Sequence, residues 1–185
     1  MITDKQILNK SEDLNRLIED QWINQIFLSP AWIFQVVLII LTYILFFYLV
    51  DKKRMTEILL YGSLVAVAFV VYDSVGEQFN YWATLKDVLP INVNFFLGDA
   101  TLIPLYAMLV YQYTFSWKRY LIWIAVWGGV LAFGYYNLVL KYLKVFVYIK
   151  KFSVVIDFAL FLIVGIIARW IIISLLKLEK RRRVS

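Results

Sequence analysis

Five apolar stretches, separated by short clusters of Lys and Arg, dominate this sequence. Apolar residues make up 63% of the chain, whereas soluble domains contain about half. They are concentrated in blocks, and a block such as 31–50 has the roughly 20 residues that a helix needs to cross a hydrocarbon core about 30 Å thick. The pattern therefore predicts an all-α, polytopic transmembrane helical bundle of about five spans.

The sequence divides into three parts. Residues 1–28 alternate charges with a stripe of apolar residues at helical spacing, which predicts an amphipathic N-terminal helix lying on the membrane or against a partner. Residues 29–176 form the transmembrane bundle, and residues 177–185 form a basic cytoplasmic tail. The predicted spans are 31–50, 57–73, 99–117, 120–140 and 153–176.

The distribution of Lys and Arg predicts that the N-terminus of this multi-pass protein is outside and the C-terminus cytoplasmic. With this topology the basic residues outside are Lys5, Lys10, Arg16, Lys86, Lys141, Lys144, Lys150 and Lys151. Those inside are Lys52, Lys53, Arg54, Lys118, Arg119, Lys177, Lys180, Arg181, Arg182 and Arg183.

The segment 141–152 is both apolar and basic, which leaves its side of the membrane open. One interpretation is an outer interfacial segment whose lysines extend to the headgroups. The alternative is a miscounted span, which would make this loop cytoplasmic.

Composition excludes several classes of site. The chain has no Cys and no His, which argues against zinc sites, haem sites and Ser-His or Cys-His catalysis. No cofactor and no metal are therefore expected. The net charge of +6 is explained by basic residues that flank the spans, so the expected partner is the lipid bilayer and not nucleic acid. A membrane-protein partner or a homo-oligomer is also consistent with the sequence.

Three acids at the ends of spans are the candidate functional residues. Asp73 closes the second predicted span, Asp99 opens the third and Asp157 lies one turn into the fifth. The predicted topology brings all three near the outer side, where carboxylates in a shared apolar site become candidates for proton or cation binding. The structural alternatives are an N-cap at Asp99, a helix end at Asp73, and an ion pair of Asp157 with Lys150 or Lys151.

Two further regions complete the candidate site. Arg169 is a candidate intramembrane cation, with extension toward the cytoplasmic headgroups as its structural interpretation. The connection 74–98 is too apolar for a free loop and is expected to lie on the outer mouth of the bundle, as a cap over the aspartates or as plain packing. Glu57, beside the basic cluster 51–54, is expected to be a surface charge.

Loose motifs in a common order resemble one family of small integral membrane proteins. The motifs are Asp51-Lys-Lys-Arg54, Ile58-Leu-Leu-Tyr-Gly62, Asp73 with Gly76, Tyr81-Trp82, Leu89-Pro90, Asp99 with Pro104, Tyr111-Gln-Tyr113 before Trp117-Lys118, and Arg169-Trp170. The family is uncharacterised, is known mainly by a locus-tag name and occurs in spore-forming relatives of Bacillus and Clostridium. The resemblance covers roughly residues 22–174.

This resemblance implies a bacterial cell membrane and several helices, but no assigned activity. Members of the family carry a Glu-Pro pair late in the fourth helix and a Pro early in the fifth. Here Tyr136-Asn137 and Val154-Val155 stand in those regions, so either this chain lacks that acid or Asp157 replaces it. The acids that match the family pattern are Asp73 and Asp99.

Three functions remain open at this point. The sequence favours a non-enzymatic accessory or structural membrane protein of a spore-forming bacterium. The first alternative is a small transporter or a proton or cation pathway that uses the outer aspartates. The second is an intramembrane enzyme that modifies lipids or isoprenoids, with Asp73 or Asp99 as a general acid.

Overall fold

The structure, a computed structural model, describes residues 3–91 and 98–184, with side chains as far as residue 180. It confirms an all-α architecture with one small pair of strands. The α-helices are α1 (Asp4–Gln21), α2 (Pro30–Leu49), α3 (Met55–Gln78), α4 (Ile103–Tyr113), α5 (Trp117–Gly129) and α6 (Ser153–Val184). The strands are β1 (Trp82–Thr84) and β2 (Phe146–Tyr148), and π-helical turns occupy Trp22–Ile26, Gly98–Leu102 and Val130–Leu140.

Four helical segments are long and apolar enough to cross a membrane. In the most apolar 18-residue stretch of each segment, at most 28% of the residues are buried inside the protein. Most of their apolar side chains therefore face outwards and need a hydrocarbon environment. The chain thus has the make-up of a multi-pass membrane protein. The four segments are Pro30–Leu49, Lys52–Gln78, Trp117–Leu140 and Ser153–Lys180.

The predicted span 99–117 is shorter than expected. Its described helical part consists of five π-helical residues, Gly98–Leu102, followed by the eleven residues of α4. The helix ends at Tyr113, and Ser116 caps α5 by accepting a hydrogen bond from the backbone N–H of Arg119. This run falls short of the roughly 20 residues of a full span, and residues 92–97 before it lie outside the described part of the chain.

The N-terminal segment forms the amphipathic helix α1. Thr3 and Gln6 make a reciprocal capping box at its start. The structure buries none of the residues of α1, and Leu8 and Leu17 are 65% and 66% exposed. Its apolar stripe therefore has no covering element among the described residues, as a helix at a membrane surface would require.

The helices run alternately up and down, which gives the bundle two distinct ends. At one end the backbone N–H of Asp51, just after α2, donates to Gln112 near the end of α4, and Arg169 of α6 donates to Thr114. This end is called the arginine end. At the other end, Asp73, Asp99 and Asp157 line one cavity, and this end is called the acid end.

A small sheet covers the acid end. Strands β1 and β2 pair antiparallel, with Trp82 opposite Tyr148 and Thr84 opposite Phe146. The pairing joins two connections that are far apart in sequence, 79–91 and 141–152, and together they are called the cap. The segment 141–152 therefore lies at the same end of the bundle as the connection after α3.

Side chains from the N-terminal part of the chain hold the cap in place. The indole N–H of Trp22 donates to the carbonyl of Asp87 at 3.1 Å, and the indole N–H of Trp32 donates to the carbonyl of Val88 at 3.0 Å. The amide of the buried Gln35 donates to the carbonyl of Lys86 at 3.1 Å. These bonds satisfy carbonyl groups of an irregular segment, which would be costly to leave unpaired near the membrane.

Gly76 gives the cap its closest contact with α3. A β-carbon at this position would lie 1.8 Å from the ring of Trp82, whose side chain is only 2% exposed. Only a residue without a side chain therefore leaves room for the indole against the helix.

We expect Gly76→Ala to destabilise the protein by about 1–3 kcal/mol or more, because overpacking displaces a buried indole. Gly134→Ala is the matched control, since a β-carbon there would meet nothing within 4 Å, and it should be neutral or mildly stabilising. Thermal unfolding of the purified proteins, followed by tryptophan fluorescence, checks this. Equal stability of the two variants would contradict the packing of the Trp82 ring against Gly76.

Candidate functional site

The three candidate aspartates come from three different helical segments and line a single cavity. Asp73 lies in the last turns of α3, Asp99 in the π-helical turn before α4, and Asp157 in the first turns of α6. The cavity has a volume of about 20 Å³, which is room for about one water molecule. The structure thus brings together the three acids that the sequence predicted to converge.

Asp157 is bound by two tyrosines. The hydroxyl of Tyr72 on α3 donates to its Oδ1 at 2.5 Å, and the hydroxyl of Tyr148 on β2 donates to its Oδ2. The proposed ion pair with Lys150 or Lys151 is therefore wrong. Lys150 instead lies with its Nζ 3.8 Å from the centre of the Tyr81 ring, so Asp157 links α3, α6 and the cap through neutral donors.

In the described part of the chain, Asp73 accepts a hydrogen bond from one donor, which belongs to the cap. The indole N–H of Trp82 donates to its Oδ1 at 2.7 Å. The prediction of a helix end at Asp73 is wrong, because α3 continues to Gln78. One turn later Glu77 repeats the arrangement: its Oε1 accepts from the backbone N–H and the hydroxyl of Thr84 in β1. Two acids of α3 therefore hold β1.

Asp99 differs from the other two aspartates. It is 5% exposed, and its Oδ2 has no hydrogen-bond partner in the described part of the chain. It lies inside the helical turn Gly98–Leu102 and not in front of it, so the N-cap interpretation is not supported. Asp99 also lines a second small cavity together with Asp73 and Tyr136. The site thus contains a buried acceptor atom for which the described residues supply no donor.

No basic side chain neutralises this cluster within residues 3–91 and 98–180. The one ion pair there joins Arg54 to Glu57 at the arginine end. The same residues contain no group of three His, Cys, Asp or Glu side chains placed to hold a metal ion. Among the described side chains, therefore, none balances a negative charge on these aspartates.

Sequence reasoning missed the donors of the acid end. Tyr72 precedes Asp73 directly and Tyr148 lies in the segment 141–152, but neither position has a pattern that predicts a contact with Asp157. A weak signal was the run of aromatic and β-branched residues Phe146, Val147 and Tyr148, residue types that are common in strands. Three residues are too few to predict a strand that forms only through pairing with β1.

Arg169 is buried, and its predicted extension toward the headgroups is wrong. The side chain is 3% exposed. Its Nη1 donates to the hydroxyl of Thr114 and its Nη2 to the carbonyl of Phe115, both at 3.1 Å. Its guanidinium carbon lies 4.3 Å from the centre of the Tyr120 ring. A guanidinium can donate hydrogen bonds in its plane and stack on an aromatic ring at the same time. Through these contacts Arg169 of α6 holds the segment between α4 and α5 in place.

Glu57 is the second correction at the arginine end. It was expected to be a surface charge, but it pairs with two nitrogens of Arg54, at 2.6 and 3.1 Å. It also accepts a hydrogen bond of 2.5 Å from the hydroxyl of Tyr111. A further bond of 2.8 Å joins the hydroxyls of Tyr61 and Tyr120, so Glu57 lies in a network of polar side chains and has both a charged and a hydroxyl partner.

Asp87 is a buried acid in the cap, outside the membrane-spanning segments. Its Oδ1 is buried and has no hydrogen-bond partner in the described ranges. Burial raises the pKa of Asp87 to about 7 from its ordinary value of 3.8, and the nearby charge of Glu77 contributes in the same direction. Asp87 lines a pocket of about 250 Å³ with Glu77, Trp22 and Trp82. The raised pKa of Asp87 predicts that this part of the cap takes up or releases a proton near neutral pH.

Comparison of the chain with protein-family models, with curated proteins and with solved structures finds no match. The site therefore has to be interpreted from its own geometry.

We expect Asp87→Asn to remove a loss of stability that the wild type shows as pH rises. Because the pKa of Asp87 is higher in the folded than in the unfolded chain, its contribution is full below pH 3.8 and is lost as pH rises through about 7. Thermal unfolding should show the variant gaining more on the wild type at pH 8 than at pH 5, because the loss begins above pH 3.8 and is complete only above about pH 7. Asp13→Asn, at an exposed position of α1, is the control for loss of one negative charge. An equal gain at both pH values would contradict the assignment.

Proposed function

We propose that the chain is a non-enzymatic membrane protein that binds a proton among Asp73, Asp99 and Asp157, and that this proton keeps the cap closed on the bundle. The observation that carries the proposal is Asp99: a carboxyl group that is 5% exposed, with an acceptor atom that no described group satisfies. An accessory or structural protein that senses or uses protons fits this arrangement. The membrane is proposed to be a bacterial cell membrane.

The size and chemistry of the cavity favour a proton over other ligands. Its volume of about 20 Å³ admits about one water molecule and no hydrated cation. Several buried negative charges around one cavity repel each other in a medium of low dielectric, and without a positive partner their burial is costly. A proton removes one charge without needing additional space, and it turns one carboxyl group into a donor for another.

The acids also have a mechanical role, which links the proton to the cap. Asp73 holds Trp82 of β1, and Asp157 holds Tyr148 of β2. Loss of a bound proton adds a negative charge between α3, α4 and α6, so repulsion would separate the groups that hold both strands. We therefore infer that proton release loosens the cap.

The side of the membrane follows from the basic residues. The positive-inside rule favours the arginine end in the cytoplasm, because the clusters Lys52–Arg54 and Lys118–Arg119 and the basic tail are at that end. The acid end is then proposed to face outwards, with the N-terminus. In this orientation the cap and the aspartates respond to the pH outside the cell.

A proton pathway through one protomer is less well supported. On α3, Tyr61 at the arginine end and Asp73 at the acid end are twelve residues apart, which is about 18 Å along a helix. The layer between them contains Val65 and Phe69, and Phe69 packs against Phe161 of α6 with ring centres 4.8 Å apart. This apolar layer separates the two polar ends, so the acids form a site open to one side only.

An intramembrane enzyme is also less well supported. The cavity between the aspartates is too small for a lipid substrate. An apolar groove of about 430 Å³ does lie nearby, but Tyr72 and Trp82 line it, and these two residues already donate to Asp157 and Asp73. The aromatic donors therefore lie between the groove and the acids that would have to protonate a substrate.

The proposal is tested by labelling native membranes with a hydrophobic carbodiimide across a range of pH, with peptide mass spectrometry as the measurement. This reagent modifies protonated carboxyl groups in apolar surroundings. Modification at Asp99 near pH 7 is expected, with less modification as pH rises. Glu57 is the internal control, because it is ion-paired with Arg54 and should not react.

A second measurement covers the case in which the reagent cannot enter the cavity. In an Asp87→Asn background, which removes the titrating acid of the cap, unfolding temperature should fall as pH rises from 6 to 9. Adding Asp99→Asn should flatten this dependence and leave a folded protein. If Asp99 is not labelled and Asp99→Asn also leaves the pH dependence of the unfolding temperature unchanged, the acids are structural only.

A further inference from the structure

An apolar groove opens on the side of the bundle at the acid end, between α3, α6 and the cap. It has a volume of about 430 Å³, within the range of small-molecule sites. Val75 of α3, Phe79 directly after α3 and Ile156 of α6 line it and are 51%, 64% and 40% exposed. Tyr81 and Trp82 form its wall on the cap side. The groove thus opens outward from the bundle.

The position of the groove decides what kind of molecule can occupy it. Its α3 and α6 residues belong to two of the candidate membrane spans, so the groove opens where the hydrocarbon meets the headgroup region. Its lining is almost wholly aromatic and aliphatic. Hydrocarbon fills such a surface favourably, because it replaces no hydrogen bonds and restores packing contacts.

A cation is held at the rim of this groove. The Nζ of Lys150 lies 3.8 Å from the centre of the Tyr81 ring, which itself lines the groove. The backbone N–H groups of Ile149 and Lys150 donate to the carbonyl of Tyr81 at 2.9 and 3.1 Å, which fixes this part of the cap. Lys151 follows and is exposed as well. No carboxylate among the described side chains pairs with either lysine.

We propose that this groove is a binding site for an anionic phospholipid, with one acyl chain along Val75, Phe79 and Ile156 and the phosphate on Lys150 and Lys151. The apolar wall and the rim cation match the two halves of such a molecule in their spatial order. A zwitterionic lipid offers the same chain but no net charge for two unpaired lysines. A protein segment in the groove would contact it with one face only. The experiment distinguishes this alternative from a lipid.

The test is native mass spectrometry of the full-length protein in detergent, titrated with phosphatidylglycerol and, separately, with phosphatidylcholine. The wild type should retain one phosphatidylglycerol with an affinity at least about five-fold above that for phosphatidylcholine, the factor that one lysine contributes near a phosphate. Lys150→Gln should remove most of this preference, and Lys150→Arg should keep it, since it retains the charge and the contact with the Tyr81 ring.

Matched variants separate a specific site from general attraction. Lys144→Gln removes the same charge at the far end of the segment 141–152, and it should leave the preference unchanged. Val75→Trp should fill the groove and reduce binding of either lipid, whereas Val67→Trp, two turns away and 64% exposed, should not.

Three results would overturn the proposal. The first is a wild type that binds both lipids equally. The second is an equal effect of Lys144→Gln and Lys150→Gln, which would indicate a diffuse surface charge. The third is a change of oligomeric state in Val75→Trp without any change in lipid retention, which would make the groove a contact between copies of this chain.

Discussion

Carboxyl groups placed in the apolar end of a helix bundle need hydrogen-bond donors from the chain, because bulk water is absent and the burial of a charge is costly. This requirement explains the acid end. Tyr72 and Tyr148 donate hydrogen bonds to Asp157, and Trp82 donates one to Asp73. Since two of these donors are in the cap, the need to satisfy the acids is also what holds the cap on the bundle.

The packing of the cap depends on the same contacts. Trp82 reaches Asp73 only because Gly76 leaves space for its ring against α3. Trp82 lies opposite Tyr148 in the sheet, so the residue that binds one aspartate is paired with the residue that binds another. A change at the acids would therefore be transmitted directly to both strands, which is the physical basis for linking proton binding to the state of the cap.

The two ends of the bundle use polar residues in different ways. At the arginine end Glu57 has a charged partner in Arg54 and a hydroxyl partner in Tyr111. The buried Arg169 there is held by the segment between α4 and α5. At the acid end, Asp99 keeps an unsatisfied atom next to a cavity of about 20 Å³. A paired acid such as Glu57 is typical of a structural role, whereas a buried acid with an unpaired oxygen next to a small cavity is the signature expected of a binding site.

The sequence by itself determined the membrane character, the helices and their order, because runs of about 20 apolar residues leave a backbone few other ways to satisfy its hydrogen bonds. Span 31–50 was found at Pro30–Leu49, and span 120–140 lies within the helical run Trp117–Leu140. The convergence of the three aspartates also followed from the sequence, since helices that alternate in direction bring these positions to one end.

Only the tertiary structure decided how the acids and the cations are satisfied. The pairing of β1 with β2 joins residues more than sixty positions apart, and three-residue strands have no local pattern strong enough to reveal it. Arg169 was expected at the headgroups, yet its partners lie in the break after α4, which hydropathy does not show. Hydrogen bonds of this kind depend on distances of a few tenths of an ångström between distant segments, and apolar periodicity contains no information about them.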